Sequence, residues 1–266
     1  MILLFSGNGN TAMAAQHLSS ALGGETIYVL TAEDLRKPDK FRLKLNPAEK
    51  RIIWAFPIYS WAVPPVISRL IERMPDPDNR LGSLRHYMLC TYGDDAGRAD
   101  VMWETLLKHR GWPATGAFGV QMPNTYVCLP GFDIDTTEAA ARKVVAMPRT
   151  INTIAQAIRA DVPTAPILNP GAMPGFKTRV IYPVFRRILM SPRAFRADRR
   201  RCTGCGRCAR SCPMANITID TADGLPSWGD ACAFCLRCYH VCPHHAISNG
   251  PFTASKGQYR APNIPK

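Results

Sequence analysis

Eight of the ten cysteines fall between positions 202 and 242, in two copies of one spacing. Cys202, Cys205, Cys208 and Cys212 precede Pro213; Cys232, Cys235, Cys238 and Cys242 precede Pro243. The pattern C-x2-C-x2-C-x3-C-P suits a cubane iron–sulfur cluster, because three soft thiolates two residues apart wrap three corners of a cube in one short loop. The fourth cysteine, turned away by the proline after it, reaches the other cube. The expected ligand sets are therefore Cys202, Cys205, Cys208 and Cys242 for one [4Fe–4S] cluster, and Cys232, Cys235, Cys238 and Cys212 for the other. Zinc is the rival, but it prefers two separated C-x2-C knuckles closing one tetrahedron, which two complete successive copies fit badly. Gly204 and Gly206 free the first loop to turn amides toward sulfur, one lever on reduction potential. Ile217–Ile219 and Ala246–Ile247, after the two Cys-Pro pairs, read as short strands. His240, His244 and His245 read as surface or packing residues, since each cysteine set is already complete.

The 266 residues, 46% of them hydrophobic, suffice for one medium domain and one small one, and argue against global disorder. The opening "MILLFSGNGNTAMAAQ" has no basic leader, and no run approaches the roughly 18 apolar residues of a membrane span. These features predict a cytoplasmic location, where clustered thiols bind metal or do redox work more often than they form disulfides.

At the other end, "MILLF" (1–5) reads as a buried strand, "SGNGNT" (6–11) as a polar turn and "AMAAQHLSSAL" as a helix. Strand, Gly/Asn loop and helix N-terminus together make an anion cradle, in which backbone N–H groups and the helix dipole favour a phosphate. Ser6, Asn8, Asn10 and Thr11 would add side-chain donors. Further strands are expected at 25–30, 51–56, 86–92 and 115–122, alternating with helices within 63–74, 98–111 and 136–160. That alternation predicts an open parallel sheet with helices on both faces, and ligands at the carboxyl ends of its strands. The loops there, "PIYSWAVPP", "TYGDDAG" and "MPNTYV", bring Tyr59, Trp61, Tyr92 and Tyr126 together with glycines around a flat ring. An aromatic slot beside a phosphate cradle points to flavin mononucleotide (FMN). Cys90, inside a strand, reads as a small buried hydrophobe; Cys128 lies in a loop close to the expected flavin edge, where no role is preferred over a redox one, and His17 carries no functional signal.

Residues 1–160 resemble a flavodoxin, with "SGNGNT" standing where that family has its Ser/Thr-x-Thr-Gly-Asn-Thr/Ser phosphate loop. The whole chain resembles the flavodoxin–ferredoxin fusion proteins of anaerobic bacteria, including "WGDACAFCLRC" and the closing "SKGQYRAPNI". The resemblance implies an α/β fold with a flavodoxin-like, doubly wound, five-stranded parallel sheet of order 2-1-3-4-5. A second, small α+β ferredoxin domain with two [4Fe–4S] clusters would follow it. It implies that Ser6, Gly7, Asn8, Gly9, Asn10 and Thr11 surround the FMN phosphate. Pro57, Ile58, Tyr59, Ser60 and Trp61 would line one side of the ring, and Thr91, Tyr92, Gly93 and Gly97 the other edge. Asn124 and Tyr126 are weaker candidates on the loop after the fifth strand. Asn8 departs from the family's threonine, replacing a hydroxyl with an amide. The expected divisions are 1–160 for the FMN domain, 161–195 for a basic Pro-rich bridge, 196–250 for the ferredoxin domain and 251–266 for a tail.

Positive charge concentrates beside the clusters: residues 177–210 hold eleven Lys/Arg and one acid, Asp198, against a formal net charge of +13 for the chain. Cluster and phosphate charge offset part of this, and the remaining basic face suits an anionic redox protein partner. No nucleic-acid motif accompanies it. "FKTRVIYPVFRRILM" interleaves apolar and basic residues as membrane-surface helices do, but Pro183 is expected to interrupt a helix, and a bridge between domains is the preferred reading. An electron carrier relaying between two [4Fe–4S] clusters and FMN in anaerobic metabolism follows. The alternative is a flavin- and iron–sulfur-dependent oxidoreductase that reduces a small organic substrate over the flavin. No catalytic residue is assigned.

Overall fold

The computed structural model describes residues 1–262; Asn263 and Ile264, the last two residues of "SKGQYRAPNI", lie outside them. β1 (Ile2–Leu4), β2 (Ile27–Val29), β3 (Arg51–Pro57), β4 (Arg85–Tyr92) and β5 (Ala114–Gln121) form one sheet of order β2-β1-β3-β4-β5, parallel throughout. The period-two alternation of side chains divides each strand between two cores. On one face Leu3, Ile52, Trp54, Phe56 and Met88 pack beneath α3 (Pro65–Arg73) and α4 (Ala99–His109). On the other, Ile2, Ile53, Ala55 and Leu89 pack beneath α1 (Asn10–Ala21) and α5 (Thr137–Ala160). A five-residue helix, α2 (Ala32–Arg36), opens with a capping box on Thr31 and Asp34.

After α5 the chain does not run as a loose bridge. Pro174–Phe176 (α6), a π-wound turn at Lys177–Ile181 and α7 (Tyr182–Ile188) form one helical run through Pro183. The expected interruption is absent because the wide turn before Pro183 shifts the carbonyl ladder where proline supplies no N–H. Two small antiparallel sheets follow. β6 (Phe195–Ala197) pairs with β9 (Ile247–Asn249), and β7 (Ile217–Ile219) with β8 (Pro226–Trp228). The short helices α8 (Arg207–Arg210) and α9 (Arg237–Val241) complete this half. β6 and β8 carry no alternation long enough to announce a strand, so only their partners were legible.

The two halves share a core: Val127 and Cys128 from the loop after β5 and Phe185 from α7 pack with Phe234, Cys238 and Tyr239. His240 fastens the join. Its Nε2–H donates to the Thr125 carbonyl at 2.8 Å, and its Nδ1 accepts from the Tyr259 N–H at 3.1 Å, which requires a neutral ring. His86 does the same inside the sheet half, donating to the Leu81 carbonyl and accepting from the Trp54 indole. Burial holds both rings down to about 4. The unfolded imidazoles still take a proton near 6.5, so this stability is complete above that pH and is lost as pH falls from 6.5 toward 4. The loss is on the order of 3 kcal/mol per ring. Denaturant titrations followed by tryptophan emission should give a lower midpoint at pH 5 than at pH 7. His86→Phe should flatten that pH dependence even though it lowers the baseline.

Candidate functional site

The carboxyl ends of β1, β3, β4 and β5 open into a cavity of about 360 Å³. Gly7, Asn8, Asn10 and Thr11 form its floor, Pro57–Trp61 one wall and Thr91–Gly93 with Asn124 and Tyr126 another. Phe234, Cys235 and Leu236 of the second cysteine loop form the wall opposite the sheet, and Ile181, Phe185 and Met190 close over it. Seven aromatic rings face the space: Tyr59, Trp61, Tyr92, Tyr126, Phe132, Phe185 and Phe234. Of the residues expected at the flavin, Ser6, Gly9 and Gly97 are not on its surface. Gly97 is covered by Trp61 and Thr178, and it takes a left-handed conformation (φ 59°) that leaves no room for a side chain.

The side chains of the turn after β1 are already engaged. Ser6 Oγ accepts from the Gly9 and Ala12 N–H groups, Asn10 donates to the Pro123 carbonyl and accepts from the Tyr259 hydroxyl, and Thr11 pairs with Thr91 at 2.7 Å. Asn8 donates across to the Cys235 carbonyl at 2.9 Å, while Arg237 donates back to the Gly7 carbonyl. These bonds hold the turn in place, while Ser6 Oγ, which only accepts in them, keeps its own O–H free to donate. The amide at position 8 joins the turn to the cluster loop, one bond further from Cβ than a threonine hydroxyl reaches. An anion here would rest chiefly on the backbone N–H groups at the start of α1 that Ser6 Oγ does not already engage.

The wall at 57–62 is a two-residue hairpin in which Tyr59 and Ala62 exchange backbone bonds and Ser60 and Trp61 both take positive φ, 49° and 62°. Non-glycine residues in that region cost of order 1–3 kcal/mol each, a strain that clusters at ligand sites. Lys177 stands 5.2 Å over the Trp61 ring and pairs with Asp95 at 2.6 Å, so the helical run 174–188 braces this turn. Four buried polar atoms on the cavity wall have no partner: the hydroxyls of Tyr59, Ser60 and Tyr126, and one carboxylate oxygen of Asp95. Unmet buried donors and acceptors around an aromatic slot fit a flat ligand with polar edges.

The two cysteine loops repeat one backbone. In each, the residues flanking the middle cysteine are left-handed: Gly204 and Gly206 around Cys205, and Phe234 and Leu236 around Cys235. Ala215 and His245, three residues after Cys212 and Cys242, repeat the match. Glycine adopts this shape freely, so Phe234 and Leu236 accept strain in order to place apolar side chains on the cavity. A small hollow is lined by Cys202, Cys205, Cys208 and also Cys242. On the other side, Cys212 lies close enough to Cys232, Cys235 and Cys238 to oppose their ionisation. Burial pushes Cys208 and Cys232 up to about 11 and Cys235 to about 12, a cost to their thiolates that a bound cation offsets. Backbone N–H groups of Asn216, Phe234 and Ala246 point at the sulfurs of Cys212, Cys232 and Cys242, at 3.3–3.4 Å. Cys205 is exposed, whereas Cys238 is buried and Cys235 lies against the cavity.

Sequence reasoning missed the residues contributed from outside the sheet loops: Ile181, Phe185 and Met190, and Phe234 to Leu236. The departure from glycine beside Cys235 was the available signal. Cys90 is fully buried in β4, and Cys128, held up to about 12 by burial, is inert packing.

Residues 201–247 match the family described as 4Fe-4S dicluster domain. Iron–sulfur chemistry therefore belongs to this half of the chain. No curated protein matches the sequence. Among solved structures, the two-electron reduced flavodoxin of Megasphaera elsdenii is 16% identical, with a TM-score of 0.36, covering 58% of this chain and 97% of that one. The flavodoxin of Streptococcus pneumoniae TIGR4 is 13% identical, with a TM-score of 0.36 and coverage of 60% and 97%. The Trp repressor binding protein of Bacillus subtilis is 15% identical, with a TM-score of 0.35 and coverage of 56% and 94%. The strand order 2-1-3-4-5 itself defines the flavodoxin-like class. The chain thus joins a flavodoxin-like sheet to a 4Fe-4S dicluster segment. Among the described residues no helix is long and apolar enough to cross a membrane.

Proposed function

We propose that the protein is an electron relay in which FMN occupies the cavity and exchanges single electrons with two [4Fe–4S] clusters. The supporting observation is the shared wall: one cavity is bounded by the turn that opens α1 and by the loop carrying Cys235. FMN, when bound, supplies a carrier able to take one electron or two. Its phosphate would rest on the N–H groups opening α1, and its ring between the 57–61 turn and the 91–93 loop. The unpartnered groups of Tyr59, Ser60, Asp95 and Tyr126 would meet its polar edges. The cluster held by Cys232, Cys235, Cys238 and Cys212 would be the inner one, beside the ring. The cluster of Cys202, Cys205, Cys208 and Cys242 would be the outer one, with exposed Cys205 and Arg200, Arg201 and Arg207 open to an anionic redox carrier. A reductase acting on a second organic molecule needs space beyond the ring. About 360 Å³ is near the lower end of ligand pockets, which run from about 300 to 1,000 Å³.

The relay is tested by reducing the clusters anaerobically with a small neutral donor and following flavin absorbance. Flavin reduction should proceed at a rate independent of protein concentration. Gly7→Leu should slow it at least about tenfold in the molecules that still hold flavin, because a Cβ there falls 2.7 Å from the Tyr59 hydroxyl and 2.8 Å from the Cys235 Cβ and wedges the two loops apart. With an acidic ferredoxin as donor instead, delivery should fall as salt rises, and Arg200→Glu with Arg207→Glu should slow delivery alone. A flavin rate that climbs with protein concentration would refute the relay.

A further inference from the structure

The helical run Pro174–Ile188 is apolar on two opposite sides. Its inner side buries Tyr182 and Phe185 against the cavity and the shared core. Its outer side carries Phe176, Val180, Val184 and Ile188, with Met173 just before its first turn, each 49–67% exposed and spaced by three or four residues, so that they form one stripe. Of the twelve large hydrophobic side chains exposed among the described residues, eight fall between Val162 and Leu189. A helix apolar on both faces is ordinarily buried on both, and so large an exposed strip marks a surface that something covers.

The charge beside the stripe limits what that can be. From Val162 to Ala197 there is no acidic residue, while Lys177, Arg179, Arg186, Arg187, Arg193 and Arg196 all lie within it. Lys177 is bound to Asp95, and the five arginines are exposed. Two copies of this face would repel each other. A stable protein interface has an apolar core within a polar rim and engages about 20–30 residues a side, far more than one five-residue stripe. Here the stripe has no polar member and the flanking charge has one sign, the combination that sits at the boundary between acidic headgroups and acyl chains. We infer that the outer face of Met173–Ile188 lies on an anionic phospholipid bilayer, holding the protein at the membrane surface without spanning it. The continuous helix through Pro183 makes this possible, since an interrupted one would not align the stripe.

Flotation of the holoprotein with extruded vesicles tests the inference independently of the flavin. The protein should float with vesicles of phosphatidylcholine and phosphatidylglycerol in equal parts, and remain behind with phosphatidylcholine alone. Val180→Asp, Val184→Asp and Ile188→Asp together should weaken binding about a hundredfold or more, with iron content unchanged because these side chains face outward. Arg186→Gln with Arg187→Gln should weaken it about thirtyfold at low salt. Val184→Leu, which adds apolar reach, should tighten it. Absence of flotation with the anionic vesicles at low salt would overturn the inference, as would flotation indifferent to the three aspartates. Aspartates that slow reduction by an acidic ferredoxin, in a protein that never floats, would assign the stripe to a protein partner instead.

Discussion

Anaerobically isolated protein should contain about eight iron and eight sulfide per chain, the content of two four-iron clusters. Replacing Cys212 by Ser should then strip the cluster of Cys232, Cys235 and Cys238 rather than that of its own loop. The physical reason is the exchange of fourth ligands. Cys242 lines the hollow of Cys202, Cys205 and Cys208, while Cys212 lies among the thiols of the second loop. Because that second loop also walls the cavity, Cys212→Ser should lower flavin retention, whereas Cys205→Ser, at the exposed loop, should leave the flavin in place. Iron analysis with low-temperature paramagnetic resonance of the reduced protein separates the two losses. Stoichiometric zinc without sulfide would end the cluster reading. Loss confined to the Cys202 cluster in Cys212→Ser would end the exchange.

The second large effect is expected at Gly9. This residue caps α1 in a left-handed conformation, φ 93°, and its carbonyl accepts the first helical bond, from Met13. A β-branched side chain there costs about 1–3 kcal/mol of backbone strain, and it displaces the N–H groups that an anion must approach. Asn8 and Asn10 are bonded to the Cys235 and Pro123 carbonyls, so the side chains of the turn offer little compensation. Gly9→Val should therefore weaken FMN binding about a hundredfold or more, with both clusters retained. Fluorescence titration of the flavin-stripped protein measures this directly, and iron content reports that the fold survives. Unchanged FMN affinity would move the flavin elsewhere. Asn8→Thr makes a useful contrast. It should leave FMN binding nearly intact while loosening the bond to Cys235, and so act on electron passage between the halves.

The fold class and the chemistry of the cysteines were legible because both depend on short-range pattern. The alternation of Leu3 with Ile2 and Leu4, and of Trp54 with Ile53 and Ala55, sends side chains to opposite faces in any sheet, and buried strands of this kind pair in parallel between helices. The cysteine spacing is a property of one loop wrapping one cube, and it needs no partner segment to be read. The turn after β1 and the helix start that follows it were legible for the same reason, since a helix that starts there exposes its first N–H groups wherever it sits.

Tertiary structure alone decided what meets that cradle. Asn8 read as one side-chain donor of the phosphate turn, and only the fold shows Cys235, far away in sequence, accepting from it at 2.9 Å. Phe234 and Leu236 carried no signal of their own in the sequence, and only their left-handed backbone beside Cys235 and the cavity they line show what they do. Pro183 read as a helix breaker because sequence reports the missing N–H but not the wound turn before it, which is held by packing of Thr178 on the Trp61 carbonyl and of Tyr182 on Val63. Local rules fix which groups a segment can offer. Which group accepts the offer depends on long-range packing, whose free energy is summed over contacts that no single stretch of this sequence contains.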